Sequence, residues 1–236
     1  MGIKNGVIKD SKIYGTPVIV DLLPHKSNYS RWIEYTLEYL TNHNTGNKSK
    51  GAGAKAHSTY LKGVTSSKSW HFTVDDKYII QHIPVIYNGW HCTDGSGSHS
   101  GNLNSVGIEG CMNSDGDWSK TRQNMIKLNI YLMNNMSNLV GDNWKKTIVP
   151  HRHWYNKNCP SVILAEHGGF DRFVQDCIKF DLIYNKPEPT YKTMINELSS
   201  WGNLYIADIE KMMKETGHNW PGLIEKLYYH AGQKKY

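Results

Sequence analysis

Between residues 120 and 139 the apolar side chains Met125, Leu128, Leu132, Met136 and Leu139 recur at spacings of three and four. That is the period of one buried helix face. A helix with a single apolar stripe has to lay it against another element, and the surrounding chain offers mainly short runs. Three of these read as strands, near 70–75, 78–83 and 105–111, and further helices are expected over 54–62 and within 162–180. Strands alternating with helices bury such faces as a mixed central β-sheet flanked by helices, so the expected class is α/β. With 39% apolar and 20% charged residues, the chain has the material for a core.

Lys186-Pro187-Glu188-Pro189 reads as a boundary, because each proline disfavours helix in the residue before it. Residues 1–186 are expected to form the main domain and 187–236 a small all-α appendage. In the appendage, Met194, Leu198 and Trp201, then Ile206, Ile209 and Met213, then Leu223 and Leu227 suggest three short helices. A piece of that size is hard to stabilise alone. The net charge of +6 belongs to residues 1–187, since residues 188–236 hold six basic and six acidic residues. A cationic domain is drawn to anionic polymers, less so at high salt. Nucleic acid is not the expected partner, because there is no Arg-rich stripe or reader motif. No run of eighteen apolar residues is present to span a membrane. The first residues lack the apolar core of a signal peptide, so synthesis in the cytoplasm is expected. In that reducing setting Cys92, Cys111 and Cys177 are expected to be buried small apolar side chains, not disulfides.

Chemistry concentrates at three other residues. His43 ends an apolar run within Asn42-His43-Asn44-Thr45, His151 follows Val149-Pro150, and Cys159 comes eight residues later, beside Pro160. Imidazole nitrogen and thiolate sulfur both suit zinc, and three protein ligands leave a fourth position for water, as in catalytic sites. Four ligands would have suggested a structural ion. Glu109 lies in the strand-like segment Val106–Gly110, where partial desolvation would raise its pKa. Thr93 to Asn104 is rich in glycine and serine and is a candidate cleft rim.

His43-Asn44-Thr45, Ser69-Trp70-His71-Phe72, Gln81-His82-Ile83-Pro84, Gly89-Trp90-His91, Gly107-Ile108-Glu109 and His151-x7-Cys159-Pro160 follow one another in this order. With them the chain resembles the type 2 N-acetylmuramoyl-L-alanine amidases, in the branch of phage endolysins of Gram-positive hosts, over about residues 15–180. The resemblance implies one catalytic Zn²⁺ on His43, His151 and Cys159, and hydrolysis of the amide between N-acetylmuramic acid and L-alanine in peptidoglycan. It implies Glu109 as general base and Lys157 as a charge facing the transition state. Trp70 departs from relatives that carry a tyrosine there, so its indole is expected to shape the cleft wall; an N–H can donate but not accept. Trp70, His71, Trp90 and His91 are the expected substrate-binding residues, with His91 alternatively supporting a ligand. Strand alternation forbids Trp70 and His71 from facing the same site, and His153 should face away from His151. Residues 25–31 resemble the family's substrate-proximal loop. The enzyme would reach the wall after holin release or from the virion, and 187–236 would bind wall polymer or mediate self-association. The rival readings are a phage tail-associated lysin and a non-catalytic peptidoglycan-recognition module.

Overall fold

The computed structural model describes residues 2–24, 33–63, 68–139 and 144–184. The chain divides into two compact units, Met1–Leu182 and Ile183–Tyr236. The expected helices of residues 187–236 and the loop at 25–31 lie outside the described residues.

The first unit opens with a hairpin of β1 (Ile3–Lys4) and β2 (Val7–Ile8). There follow β3 (Lys12–Ile13), β4 (Thr16–Val20), β5 (Tyr39–Asn44), α1 (Ala54–Gly63), β6 (Phe72–Val74) and β7 (Ile79–Gln81). The chain continues through α2 (Gly101–Asn104), β8 (Ser105–Gly110), α3 (Trp118–Asn135), α4 (Trp144–Thr147), β9 (Ile148–Pro150), α5 (Ser161–Ala165) and α6 (Gly169–Tyr184). Among the described residues, seven strands form one sheet in the order β3-β4-β7-β6-β8-β5-β9. The β3/β4 and β6/β7 pairs are antiparallel and the others parallel, so the sheet is mixed as expected.

Side-chain alternation along the strands separates two layers. Ile79 joins Leu40, Phe72, Val74, Val106 and Ile108 in the core shared with Met125, Leu128 and Leu132 of α3, whereas its neighbour Ile80 packs with Ala54 of α1. Each fully buried side chain of this kind contributes roughly 1.5–3 kcal/mol. Asp117 caps α3 by accepting from the Lys120 amide at 3.1 Å. The helix begins two residues before the expected start and ends at Asn135. Met136 and Leu139 remain buried from the turn beyond it, where the Asn138 side chain donates to Leu37 O. The single closing helix expected within 162–180 is two, α5 and α6. They part at residues 166–168, where Gly168 takes a left-handed φ of +81° that an α-helix interior does not accommodate, and α6 opens at Gly169. Arg122 secures that corner with charged bonds to Glu166 (2.7 Å) and Asp176 (2.9 Å).

The register carries the functional consequence. In the parallel β5/β8 pair His43 lies level with Glu109, and in β5/β9 Asn42 lies level with Pro150. His43, Glu109 and the residue after Pro150 therefore emerge together at the carboxyl ends of adjacent parallel strands, the usual place for a site in an α/β sheet.

Candidate metal centre

His43 occupies the penultimate position of β5, and His151 opens a single turn of 3-10 helix, His151–His153, directly after β9. The loop that follows returns Cys159 to the same point. His43 Nδ1 is 3.0 Å from His151 Nδ1 and 3.7 Å from Cys159 Sγ, and all three residues are buried. One donor atom from each lies within 4.8 Å of the others. His153 points away, stacking near Tyr39 and edge-on to Trp154.

The outward nitrogens determine what the inward ones can be. His151 Nε2 lies 2.9 Å from Cys92 O; a carbonyl only accepts, so Nε2 carries the proton and Nδ1 is a bare lone pair. His91 Nε2 faces Ser105 O at 3.3 Å, and His91 Nδ1 faces His43 Nε2 at 3.0 Å. The same reasoning places the proton of His43 on Nε2 and leaves its Nδ1 bare. Burial, ahead of the neighbouring charges, holds His43 and His91 well below the ordinary histidine pKa, and lowers His151 as well. Two bare nitrogens 3.0 Å apart repel each other unless a cation lies between them. The donor set thus fits zinc. Without the ion, burial pushes the Cys159 thiol up to about 11, so metal binding must displace its proton.

The donors open onto a cleft of about 620 Å³. Glu109 lines it, with Oε2 buried and without a hydrogen-bond partner among the described residues. Burial raises its carboxyl to about 8, against the opposing pull of Lys157. Lys157 is exposed on the loop between His151 and Cys159 and also lines the cleft. So do Trp70, Trp90 and His91. Trp70 is oriented by its indole N–H, which donates to Thr73 Oγ1 at 2.8 Å.

His71 requires a correction. It was expected to bind substrate, but it is fully buried away from the cleft: Nε2 donates to Tyr87 O (2.8 Å) and Nδ1 accepts from the Gly107 amide (2.9 Å). Both ring nitrogens are used in tying the β6 entrance to β8 and to the Tyr87 loop, and burial lowers its pKa to about 4. The glycine- and serine-rich segment contributes Thr93 to the cleft lining, while its last residues wind into α2. Much of the opposite rim comes instead from Thr45, Gly46 and Asn47 and from Ala56, His57 and Tyr60 of α1. Thr45 belongs to the His43-Asn44-Thr45 motif, whereas for Ala56 and Tyr60 the sequence offers only the helical spacing that places 56 and 60 on one face. Cys92 is buried as expected, yet its carbonyl orients His151 and its sulfur lies 3.2 Å from His91 Nδ1.

A mixed α/β sheet that converges two histidines, a cysteine and a half-buried glutamate at its strand ends defines a metallohydrolase-like site. The chain belongs to the N-acetylmuramoyl-L-alanine amidase family, whose model matches residues 34–162. It is 43% identical over 161 residues to the N-acetylmuramoyl-L-alanine amidase XlyA of Bacillus subtilis (strain 168), covering 65% of this chain and 49% of that protein. It is 45% identical over 134 residues to CwlH, an amidase of the same organism, covering 56% of this chain and 50% of that protein. A solved structure of a mutant endolysin from Bacillus subtilis superposes with a TM-score of 0.62 at 40% identity, covering 69% of this chain and 99% of that one. The chain thus spans about half the length of the curated relatives it matches.

Proposed function

We propose that the chain is a zinc-dependent N-acetylmuramoyl-L-alanine amidase acting on peptidoglycan as a phage endolysin. The observation that carries this reading is the convergence of bare His43 and His151 nitrogens and the Cys159 thiol beside Glu109, in a cleft within a family-matched domain. His43, His151 and Cys159 would hold the ion. When bound, zinc supplies a Lewis acid for the scissile carbonyl and makes a water acidic near neutral pH.

Glu109 then accepts the proton of the attacking water at a carboxylate oxygen and returns it to the departing alanine amine. Its raised pKa, about 8 in the metal-free site, suits a group that must both take and give a proton near neutrality. The Lys157 ammonium faces the carbonyl oxygen as negative charge develops there, an electrostatic contribution that is strongest where water is excluded. Trp70 and Trp90 line the cleft and offer flat apolar faces to the glycopeptide. The basic surplus of residues 1–187 favours approach to anionic wall polymers, and residues 187–236 serve wall binding or self-association.

The test is mass spectrometry of Gram-positive peptidoglycan digested with zinc-loaded and with chelated protein. New L-alanine amino termini are expected only with zinc. Cleavage at another bond, or none on several wall types despite bound zinc, would overturn the assignment.

A further inference from the structure

Two glycines make room for the His91 ring. A Cβ on Gly107 would lie 2.7 Å from it, and one on Gly89 would lie 2.9 Å from it. Asn102 Oδ1 accepts from the main-chain amides of both His91 and Cys92 at 2.7 Å, fixing the turn that delivers the ring. The ring is held edge-on to that of His43, with centroids 5.0 Å apart at an interplanar angle of 87°. At one end Nε2 meets Ser105 O, and at the other Nδ1 meets His43 Nε2. The main chain therefore dictates the His91 tautomer, and His91 in turn dictates that of His43. A His43 ring protonated on Nδ1 would place a hydrogen where the ion belongs.

We propose that His91 is a positioning residue that presents the His43 Nδ1 lone pair to the metal, and that Gly89 and Gly107 are glycines because the His91 ring needs their side-chain space. This rests on the metal-site reading above. His91 contributes an acceptor that orients a ligand and makes it more basic, a role whose loss costs about 10–100-fold in metal affinity. The neighbouring group His43, His91 and Cys92 also brings its donor atoms within 4.8 Å of one another. It does not hold the ion in this account, because His91 Nδ1 is directed at a proton of His43 rather than presented to a cation.

The experiment is chelator competition for zinc by wild type, His91→Asn and His91→Leu, with folding followed by circular dichroism. Asn and Leu have nearly the same shape, but Asn Oδ1 stands where His Nδ1 stood and can accept from His43. The expected result is zinc binding about 10–100-fold weaker in His91→Leu, with most of the affinity recovered in His91→Asn. Gly107→Ala, which displaces the ring while keeping the histidine, should weaken binding in the same direction and carries the test if His91→Leu does not fold. Equal affinity in wild type, His91→Leu and Gly107→Ala would overturn the proposal, as would equal losses in His91→Asn and His91→Leu. Absence of zinc binding in wild type would instead overturn the metal-site reading itself. With cobalt in place of zinc, Cys92→Ser should leave the thiolate charge-transfer band intact, whereas Cys159→Ser should abolish it. The reverse pattern would make His91 a ligand and end the positioning role.

Discussion

Strands β5 and β8 have two faces, and they are built differently. Toward α3, Leu40, Val106 and Ile108 pack into the main apolar core, and the buried amides of Asn42 and Asn129 close on each other at 2.9 and 3.0 Å. Toward the cleft, the same strands carry Thr41, His43, Ser105, Gly107 and Glu109. Thr41 and Ser105 are linked hydroxyl to hydroxyl at 2.7 Å, but the His43 Nδ1 lone pair faces the bare His151 Nδ1 and the Cys159 sulfur at 3.7 Å, and Glu109 Oε2 has no hydrogen-bond partner among the described residues. Buried polar groups are normally paired, because leaving one unpaired costs about 1–3 kcal/mol. On the core face Asn42 and Asn129 obey that rule, while the buried Asn44 Nδ2 has no hydrogen-bond partner among the described residues. The cleft face departs from it where a cation and a substrate would supply the missing partners.

The largest effects should separate the two faces completely. His151→Ala or Cys159→Ala is expected to lose zinc and to reduce hydrolysis to background, with the fold retained, as measured by metal analysis and wall turbidity. Glu109→Gln should keep its zinc and lose about 10²–10⁴ in turnover, the range for removal of a general acid–base. Full activity in that variant would remove Glu109 from the reaction. Lys157→Met should lower kcat by about 10²-fold with metal content unchanged, since it removes a charge that acts mainly in the transition state. On the opposite face, Asn42→Ala should leave zinc affinity alone and destabilise the fold by about 1–3 kcal/mol, because Asn129 is left buried and half-paired. Loss of metal in Asn42→Ala would mean that the faces are not independent.

A further difference, confined to the metal-free protein, is a pH dependence of stability. The Glu109 pKa is about 8 in the fold against an ordinary 4.5, so between these values the folded chain binds the extra proton and its stability declines as pH rises. Glu109→Gln should remove that decline, and denaturant titrations at pH 5 and pH 8 would measure it. His71 has the opposite sign. Its pKa falls from 6.5 to about 4, so the unfolded chain binds the proton first and stability declines as pH drops through that window.

How much of this was legible in the sequence follows the same division. The core face announces itself by period: α3 and strands β6, β7 and β8 are recognisable because burial selects apolar residues at fixed spacings. The proposed donors His43, His151 and Cys159 were legible through the ordered motifs around them that carry the family resemblance, since His/Cys pairs at such spacing are common by themselves. Their partners were not. The carbonyl of Cys92 that orients His151 belongs to the main chain and leaves no trace in residue identity. Tyr60 joins the cleft only because α1 lies across it. His71 and His91 look alike as letters; their different fates depend on which ring nitrogens meet carbonyls, which the tertiary structure decides. The split between α5 and α6 was marked by Gly168-Gly169, a signal that the apolar run through 162–180 obscured.

The most direct test of the central claim is X-ray absorption at the zinc edge of the loaded protein, compared with Cys159→Ser. The account predicts one sulfur and two imidazole nitrogens from the protein in the wild type, with the sulfur gone in the variant. A sulfur that survives in Cys159→Ser, or a wild-type spectrum with only nitrogen and oxygen neighbours, would contradict it.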